Sequence, residues 1–128
     1  MNYRVTERTP HAVGRYDEKT HSIIGEQGVA GALRFGPYQR LAAGRYLVSF
    51  NLRIEGEGQA DYGKVDGVAE SGQKTLGSRP IQATGIQRIT VPVSFNEVAS
   101  AVEFRVFSSG AGKVHVFNVE LTNDDRTK

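Results

Sequence analysis

Apolar and polar residues alternate with a period of two along much of the chain. Tyr46, Val48, Phe50, Leu52 and Ile54 alternate with Leu47, Ser49, Asn51 and Arg53. Successive side chains of a strand point to opposite faces, so the spacing predicts a strand over Tyr46–Ile54. The first set faces a core; Ser49, Asn51 and Arg53 face water or a ligand. Arg88–Phe95 repeats the pattern, with Ile89, Val91, Val93 and Phe95 inward and Arg88, Thr90, Pro92 and Ser94 outward. Pro92 has no N–H to give a ladder, which places that strand at an edge or at a bulge. Ala101–Phe107 sends Val102, Phe104 and Val106 inward and Glu103, Arg105 and Phe107 outward. In Lys113–Leu121 the phase changes: Val114 and Val116 share one face, Phe117, Val119 and Leu121 the other. A β-bulge near 116–118 reconciles the halves; burial on both faces is the alternative.

Shorter candidates are Tyr3–Glu7, His21–Ile24, Ala32–Phe35, Lys64–Ala69 and Thr75–Ile81, which brings the expectation to eight or nine short strands. Fifteen Gly and four Pro punctuate these runs. No window carries a long helical stripe. Leu41-Ala42-Ala43 is stopped by Gly44, and Phe95–Val102, where Asn96 is a capping candidate, reads as a loop with at most one helical turn. The fold class is all-β, a sandwich or a barrel of antiparallel strands. Residues 1–123 are expected to form a single domain and 124–128 a disordered tail.

Two segments carry a resemblance. One runs from Ala30 to Tyr46, through Leu33-Arg34-Phe35-Gly36-Pro37-Tyr38 and Leu41-Ala42-Ala43-Gly44-Arg45-Tyr46. The other is Val102-Glu103-Phe104-Arg105-Val106 with the Val/Phe-rich strand that follows. Together they resemble jelly-roll β-sandwich domains found alone or attached to bacterial glycosyltransferases and other polysaccharide-handling enzymes. The turn-then-strand of residues 41–50 is similar to that of jelly-roll carbohydrate-binding modules. The resemblance spans roughly residues 20–121 and implies a jelly-roll fold and sugar binding. It also implies an aliphatic residue where Arg34 stands; the chain departs there, and Arg34 reads as a surface residue or a ligand contact. The local reading is independent of the resemblance: Gly36 frees the backbone before Pro37, Gly44 permits a turn with positive φ, and Tyr46 opens a buried run.

Charge narrows the partners. Sixteen Lys+Arg against fourteen Asp+Glu are spread evenly along the chain. Phosphate recognition needs a concentrated basic footprint, so no nucleic-acid partner is expected. The absence of Cys removes disulfides, thiolate metal sites and thiol nucleophiles. No apolar run approaches the length of a membrane span. Met1-Asn2-Tyr3-Arg4 has no apolar run behind it, so no signal peptide is expected. Cytoplasmic residence is the default, with non-classical export or cell-surface association as alternatives.

The chemistry-bearing residues form no catalytic constellation. His11, His21 and His115 lack metal-ligand spacing. Glycoside hydrolysis needs two facing carboxylates, one with a raised pKa. Glu103 is the one acid in the middle of a confident strand, and Arg105 on the same face would push its pKa the wrong way. Glu55, Glu57, Asp61 and Asp66 crowd the region after the long strand. They read as a solvated acidic loop, with a calcium cage as the alternative.

The outward phases offer a binding surface instead. If their strands share a sheet, Arg34, Asn51, Arg53, Glu103, Arg105, Phe107 and His115 line one face. Planar hydrogen-bonding groups of this kind bridge sugar hydroxyls, and an aromatic covers the apolar side of a ring. The arginines lean toward an acidic or heavily oxygenated ligand. A second grouping, Tyr16, His21, Gln27, Tyr38, Asp61, Tyr62 and Arg79, is placed on loops at one end of the sandwich. The expected ligand residues are therefore Arg34, Tyr38, Asn51, Arg53, Glu103, Arg105, Phe107, His115 and His21. The leading function is non-catalytic binding of a carbohydrate, including bacterial polysaccharide, with no obligatory cofactor. The alternatives are a structural or protein-binding sandwich and a small enzyme built on His21 or His115. A weak single site favours a homo-oligomer, with Phe107, Phe117 and Leu47 as the candidate apolar patch.

Overall fold

The computed structural model describes residues 1–124. Among them there is no helix, and so none long and apolar enough to cross a membrane. The strands are β1 (Asn2–Arg4), β2 (Arg15–Asp17), β3 (Ser22–Gly25), β4 (Gly31–Arg34), β5 (Pro37–Leu41), β6 (Gly44–Glu55), β7 (Gly63–Ala69), β8 (Lys74–Ile81), β9 (Gly85–Phe95), β10 (Ala99–Ser108) and β11 (Lys113–Asn123). Sheet A has the order β2-β3-β11-β6-β9, with β1 also on β11; sheet B has the order β4-β10-β7-β8, with β5 also on β10. All pairings are antiparallel.

The chain crosses between sheets at β3–β4, β5–β6, β6–β7, β8–β9, β9–β10 and β10–β11. The first strand of this core, β3, lies beside the last, β11, and β4 lies beside β10. That interleaving is the double Greek key of a jelly roll. The inner faces meet in one core. β6 supplies Val48, Phe50, Leu52 and Ile54, β10 supplies Val102, Phe104 and Val106, and β11 supplies Val114, Val116, Val119 and Leu121. The period-two expectation holds in all three strands. The bulge also lies where the phase change placed it, between Val116 and Asn118. β9 pairs only with β6 and is an edge strand, so Pro92 leaves no ladder bond unmade on its open side.

Two strands were not anticipated, β2 and β5. The segment between Phe95 and Ala99 is a bend without a helical turn. Tyr62, expected on an end loop, is buried to 1%. Its ring occupies space that Gly56 and Gly112 leave open, where a Cβ would sit 2.6 and 2.9 Å from ring atoms. Asp124, placed in the expected tail, donates its N–H to the Arg45 carbonyl at 2.9 Å. The rest of the expected tail lies outside the described residues.

One irregularity shapes the surface. β3 pairs with β11 along Val114–Val116, and β1 pairs with β11 along Asn118–Glu120. Both lie on the edge of β11 away from β6, and the bulged Phe117 falls between them. The Val5 N–H donates to the Phe117 carbonyl at 3.1 Å. Sheet A is therefore split at the bulge.

Candidate functional site

The outer face of sheet B is built by β7 and β10. On β7, Val65 and Ala69 enter the core, and the missing Cβ of Gly67 would touch Val93 and Phe104. Lys64, Asp66 and Val68 therefore point outward. The register sets Glu103 opposite Val68, Arg105 opposite Asp66 and Phe107 opposite Lys64. Directly opposed residues on one face are in contact range, so this register alone creates the site.

Its centre is an ion pair. Arg105 Nε donates to Asp66 Oδ1 and Nη2 to Oδ2, each at 2.8 Å. The bidentate fork fixes both planes. The Asp66 side chain is 2% exposed and that of Arg105 23%. The hydrogen bond to Asp66 raises the Arg105 pKa further above its ordinary value. Lys64 Nζ stands 3.8 Å from Asp66 Oδ2. Beside the pair, Phe107 carries the Arg105 guanidinium 5.0 Å and the Lys64 ammonium 5.2 Å from its ring centre. Gly63 admits this packing: its φ is +139°, and a Cβ would lie 1.9 Å from the Phe107 carbonyl oxygen.

At the other end of the row stands Glu103, 5% exposed. Its Oε1 accepts the Gly36 N–H at 3.4 Å, and Tyr38 stands close enough to feel the charge of the same carboxylate. Partial burial, and then the Glu103 charge, raise the Tyr38 pKa. Tyr38 is 48% exposed and holds φ at +62°. A non-glycine residue in the left-handed region persists only where its surroundings enforce it, and such residues gather at binding sites. Glu70 and Ser71 at +56° and Ala101 at +49° lie on the same rim. The turn at 70–73 is tied to β10 by Glu70 N–H to Ser100 carbonyl at 2.9 Å. A Cβ on Gly72 would lie 3.6 Å from Arg105 Nη1. The face is thus a row of Phe107, Arg105–Asp66 and Glu103–Tyr38, about 13 Å along β10 at the usual strand rise.

Of the nine residues expected at the site, four meet here: Tyr38, Glu103, Arg105 and Phe107. The others do not. Asn51, Arg53 and His115 lie on sheet A, on the opposite side of the sandwich. His115 Nε2 is 2.5 Å from Glu55 Oε2 and the His115 ring stacks on Phe117. His21 is at the tip of the β2–β3 hairpin, 3.4 Å from the Tyr16 hydroxyl. Arg34 is not on the surface and does not reach this face. It pairs with Val106 in register, so it points into the core. It is 3% exposed, bonds the Tyr3 carbonyl at 3.2 Å, and burial lowers its pKa to about 10. Its Nε has no partner among the described residues. Arg34 occupies the place at which the jelly-roll resemblance implies an aliphatic side chain.

The acidic grouping is dispersed as well. Asp66 belongs to Arg105, Glu55 to His115, and Asp61 Oδ1 accepts the Gly63 N–H at 3.1 Å. Among the described residues no three His, Asp or Glu side chains gather as metal ligands. Phe107, Phe117 and Leu47 form no common patch: all are half-buried, the first on sheet B and the other two on sheet A. Asp66 and Lys64 were missed as site residues. The signal was present, since Val65, Gly67 and Ala69 set the inward phase and leave Asp66 outward beside an arginine-bearing strand.

At the level of sequence no family model and no characterised protein matches the chain. Solved structures do match its fold. The C-terminal CBM6 of a laminarinase from Zobellia galactanivorans aligns with a TM-score of 0.58 at 12% identity, over 96% of this chain and 100% of that one. A carbohydrate-binding module of Cellvibrio mixtus lichenase 5A, in complex with cellotriose, aligns with a TM-score of 0.57 at 10% identity, over 97% of each chain. A CBM22–GH10 xylanase chain from Clostridium thermocellum aligns at 0.54 and 11% identity over 99% of this chain and 27% of that larger one. The fold is the jelly-roll sandwich of carbohydrate-binding modules. At these identities the likeness concerns the fold; the site rests on the geometry above.

Proposed function

We propose that this domain binds an uncharged carbohydrate chain across the outer face of sheet B and does not turn it over. The observation that carries the reading is the row formed by Phe107, the Arg105–Asp66 fork and the Glu103–Tyr38 pair. It offers an aromatic platform, fixed planar donors and acceptors, and a second aromatic about 13 Å away. A sugar chain presents the complement: apolar ring faces and pairs of hydroxyls. The charges of the row cancel. Lys64 and Arg105 face Asp66 and Glu103, and both Asp66 oxygens are already engaged. That balance removes the lean toward an acidic ligand which the arginine count suggested. The fold neighbours named above include modules described as carbohydrate-binding, which supports the same reading.

The absence of turnover follows from the same contacts. A glycosidase needs one carboxyl group free to attack and another free to give a proton. Here Asp66 is clamped by Arg105, and Glu103 is buried and accepts the Gly36 N–H. A single exposed site of this kind binds with a dissociation constant of about 10⁻³ M.

The test is affinity electrophoresis and calorimetry against neutral polysaccharides, run with calcium and with EDTA. Binding is expected for one class of neutral glycan, unchanged by EDTA. Phe107→Ala should weaken it about fivefold, in keeping with about 1 kcal/mol for an aromatic contact. Arg105→Lys should weaken it too, because an ammonium cannot hold the fork. A folded protein that binds no neutral glycan, or binds one equally well in both variants, would falsify the proposal and point to a protein partner.

A further inference from the structure

We infer that the split in sheet A is a second ligand site, and that it takes a single sugar ring bearing a carboxylate. It shares with the preceding proposal only the ligand class; its residues are on the opposite face.

The split forms a groove of about 550 Å³. The bulged Phe117 lines it, between the start of β3 and the end of β1 on β11. Tyr16 and His21 line it from the β2–β3 hairpin, Asn2 and Arg4 from β1, and Asn118 and Glu120 from β11. Bulges re-aim side chains and recur beside binding sites. His21 is held at φ +52°, the one left-handed non-glycine residue of sheet A and its hairpins among the described residues. The hairpin tip that enforces it is braced: the Thr20 hydroxyl donates to Asp17 Oδ2 at 2.6 Å and is 2.7 Å from the Ser22 hydroxyl.

The floor is preorganised. Asn118 Nδ2 donates to Asn2 Oδ1 at 2.8 Å, and Asn51 Nδ2 donates to Asn118 Oδ1 at 3.1 Å. Glu120 accepts from Asn51 at 3.2 Å and from Arg88 at 3.4 and 3.2 Å. Arg88 therefore neutralises the one acid that lines the groove. The cation that lines it, Arg4, is exposed, and among the described residues no carboxylate lies within ion-pair distance of it. Aromatic edges, planar amides and an unanswered guanidinium suit a hydroxylated ring with a carboxylate, which Arg pairs bidentately.

The test is an amide chemical-shift titration of the intact protein with glucuronate, glucose and acetate. It is repeated on Arg4→Gln and His21→Ala, two exposed substitutions that leave the core untouched, and on Arg105→Lys. Glucuronate is expected to shift Arg4, Tyr16, His21, Phe117 and Asn118. It should bind about tenfold more tightly than glucose, as one charge-assisted hydrogen bond allows. Arg4→Gln should remove that advantage, His21→Ala should weaken binding, about 0.5 M salt should weaken it by screening, and Arg105→Lys should change nothing. The inference fails if glucuronate binds no better than glucose, if Arg4→Gln leaves the preference intact, or if the shifts fall on sheet B. It fails equally if acetate reproduces the shifts at the same affinity, which means an anion site and not a sugar site. Shifts on sheet B would bear on the site proposed there; the other outcomes leave neutral-glycan binding untouched, and failure of that binding leaves the groove untouched.

Discussion

On the outer face of sheet B the Asp66 side chain is 2% exposed and takes two hydrogen bonds of 2.8 Å from one guanidinium. On the outer face of sheet A the Glu120 side chain is 33% exposed and shares a longer, wetter contact with Arg88 at 3.2 Å. Each pair joins an arginine to a carboxylate, and each bridges strands of a single sheet. What differs is cover. Arg105 lies across Asp66 with Phe107 and Lys64 beside it, whereas Arg88 reaches Glu120 from β9 across the intervening β6 and remains half in water. A desolvated fork resists both water and salt; an exposed pair does neither.

The sharpest way to break this comparison is to remove the acid on each side. Asp66→Ala strands Arg105 beside the space it leaves and should cost about 2–3 kcal/mol, as for a buried pair deprived of one partner, discounted because Arg105 reaches solvent. Glu120→Ala should cost under about 1 kcal/mol. Urea midpoints with unchanged slopes would measure both. Equal losses would mean that the two faces are equivalent and that sheet B holds no privileged centre.

Most of the difference between the faces was hidden in the sequence, for a definite reason. Alternation shows which side chains share a phase within one strand. It carried the core of β6, β9, β10 and β11, the bulge at Phe117 and the edge position of Pro92. It does not show which sheet a strand joins. Asn51 and Arg105 have the same outward phase and stand on opposite sides of the molecule, because β6 lies in sheet A and β10 in sheet B. Burial of a charge is likewise a property of the pair. Asp66 reads as a solvated acid until the register places Arg105 opposite it. Arg34 fails differently. Its neighbours Leu33 and Phe35 hide its phase, and the register with Val106 turns it inward. The departure from the jelly-roll pattern was legible at that position; its meaning was not.

Arg34 sharpens the comparison from the inside. Arg105 is answered by a carboxylate, whereas Arg34 is buried with one carbonyl at 3.2 Å and an unpartnered Nε. Burial has lowered its pKa to about 10, so at neutral pH it is still a desolvated cation. Arg34→Met restores an aliphatic side chain of similar length. It is expected to leave glycan binding unchanged and to raise stability by about 1 kcal/mol, since uncompensated buried charge is commonly improved by an apolar replacement. A loss of stability would mean that the contact to the Tyr3 carbonyl, which ties β1 to the interior, outweighs the desolvation.

The smallest effect separates the faces by pH. On sheet A the hydrogen bond from His115 holds the Glu55 carboxyl below its ordinary value of 4.5, assisted by the charges of His115, Arg53 and Lys113. The folded state therefore keeps this group ionised at a pH where the unfolded chain has begun to protonate it. Its contribution is complete above the unfolded value and disappears as the pH falls through the lower folded value. Glu55 is exposed, so the effect is slight. Thermal melts of the wild type and Glu55→Gln at pH 7 and pH 3 are expected to differ at pH 7 and converge at pH 3. A gap that persists at pH 3 would show that Glu55 contributes by packing on His115 and not by its charge. The acid sensitivity of sheet A would then reside in Asp17, whose pKa the Thr20 hydroxyl lowers, and in Glu120, whose carboxyl burial pushes upward while Arg88, Asn118 and Asn51 together bring it below the usual range.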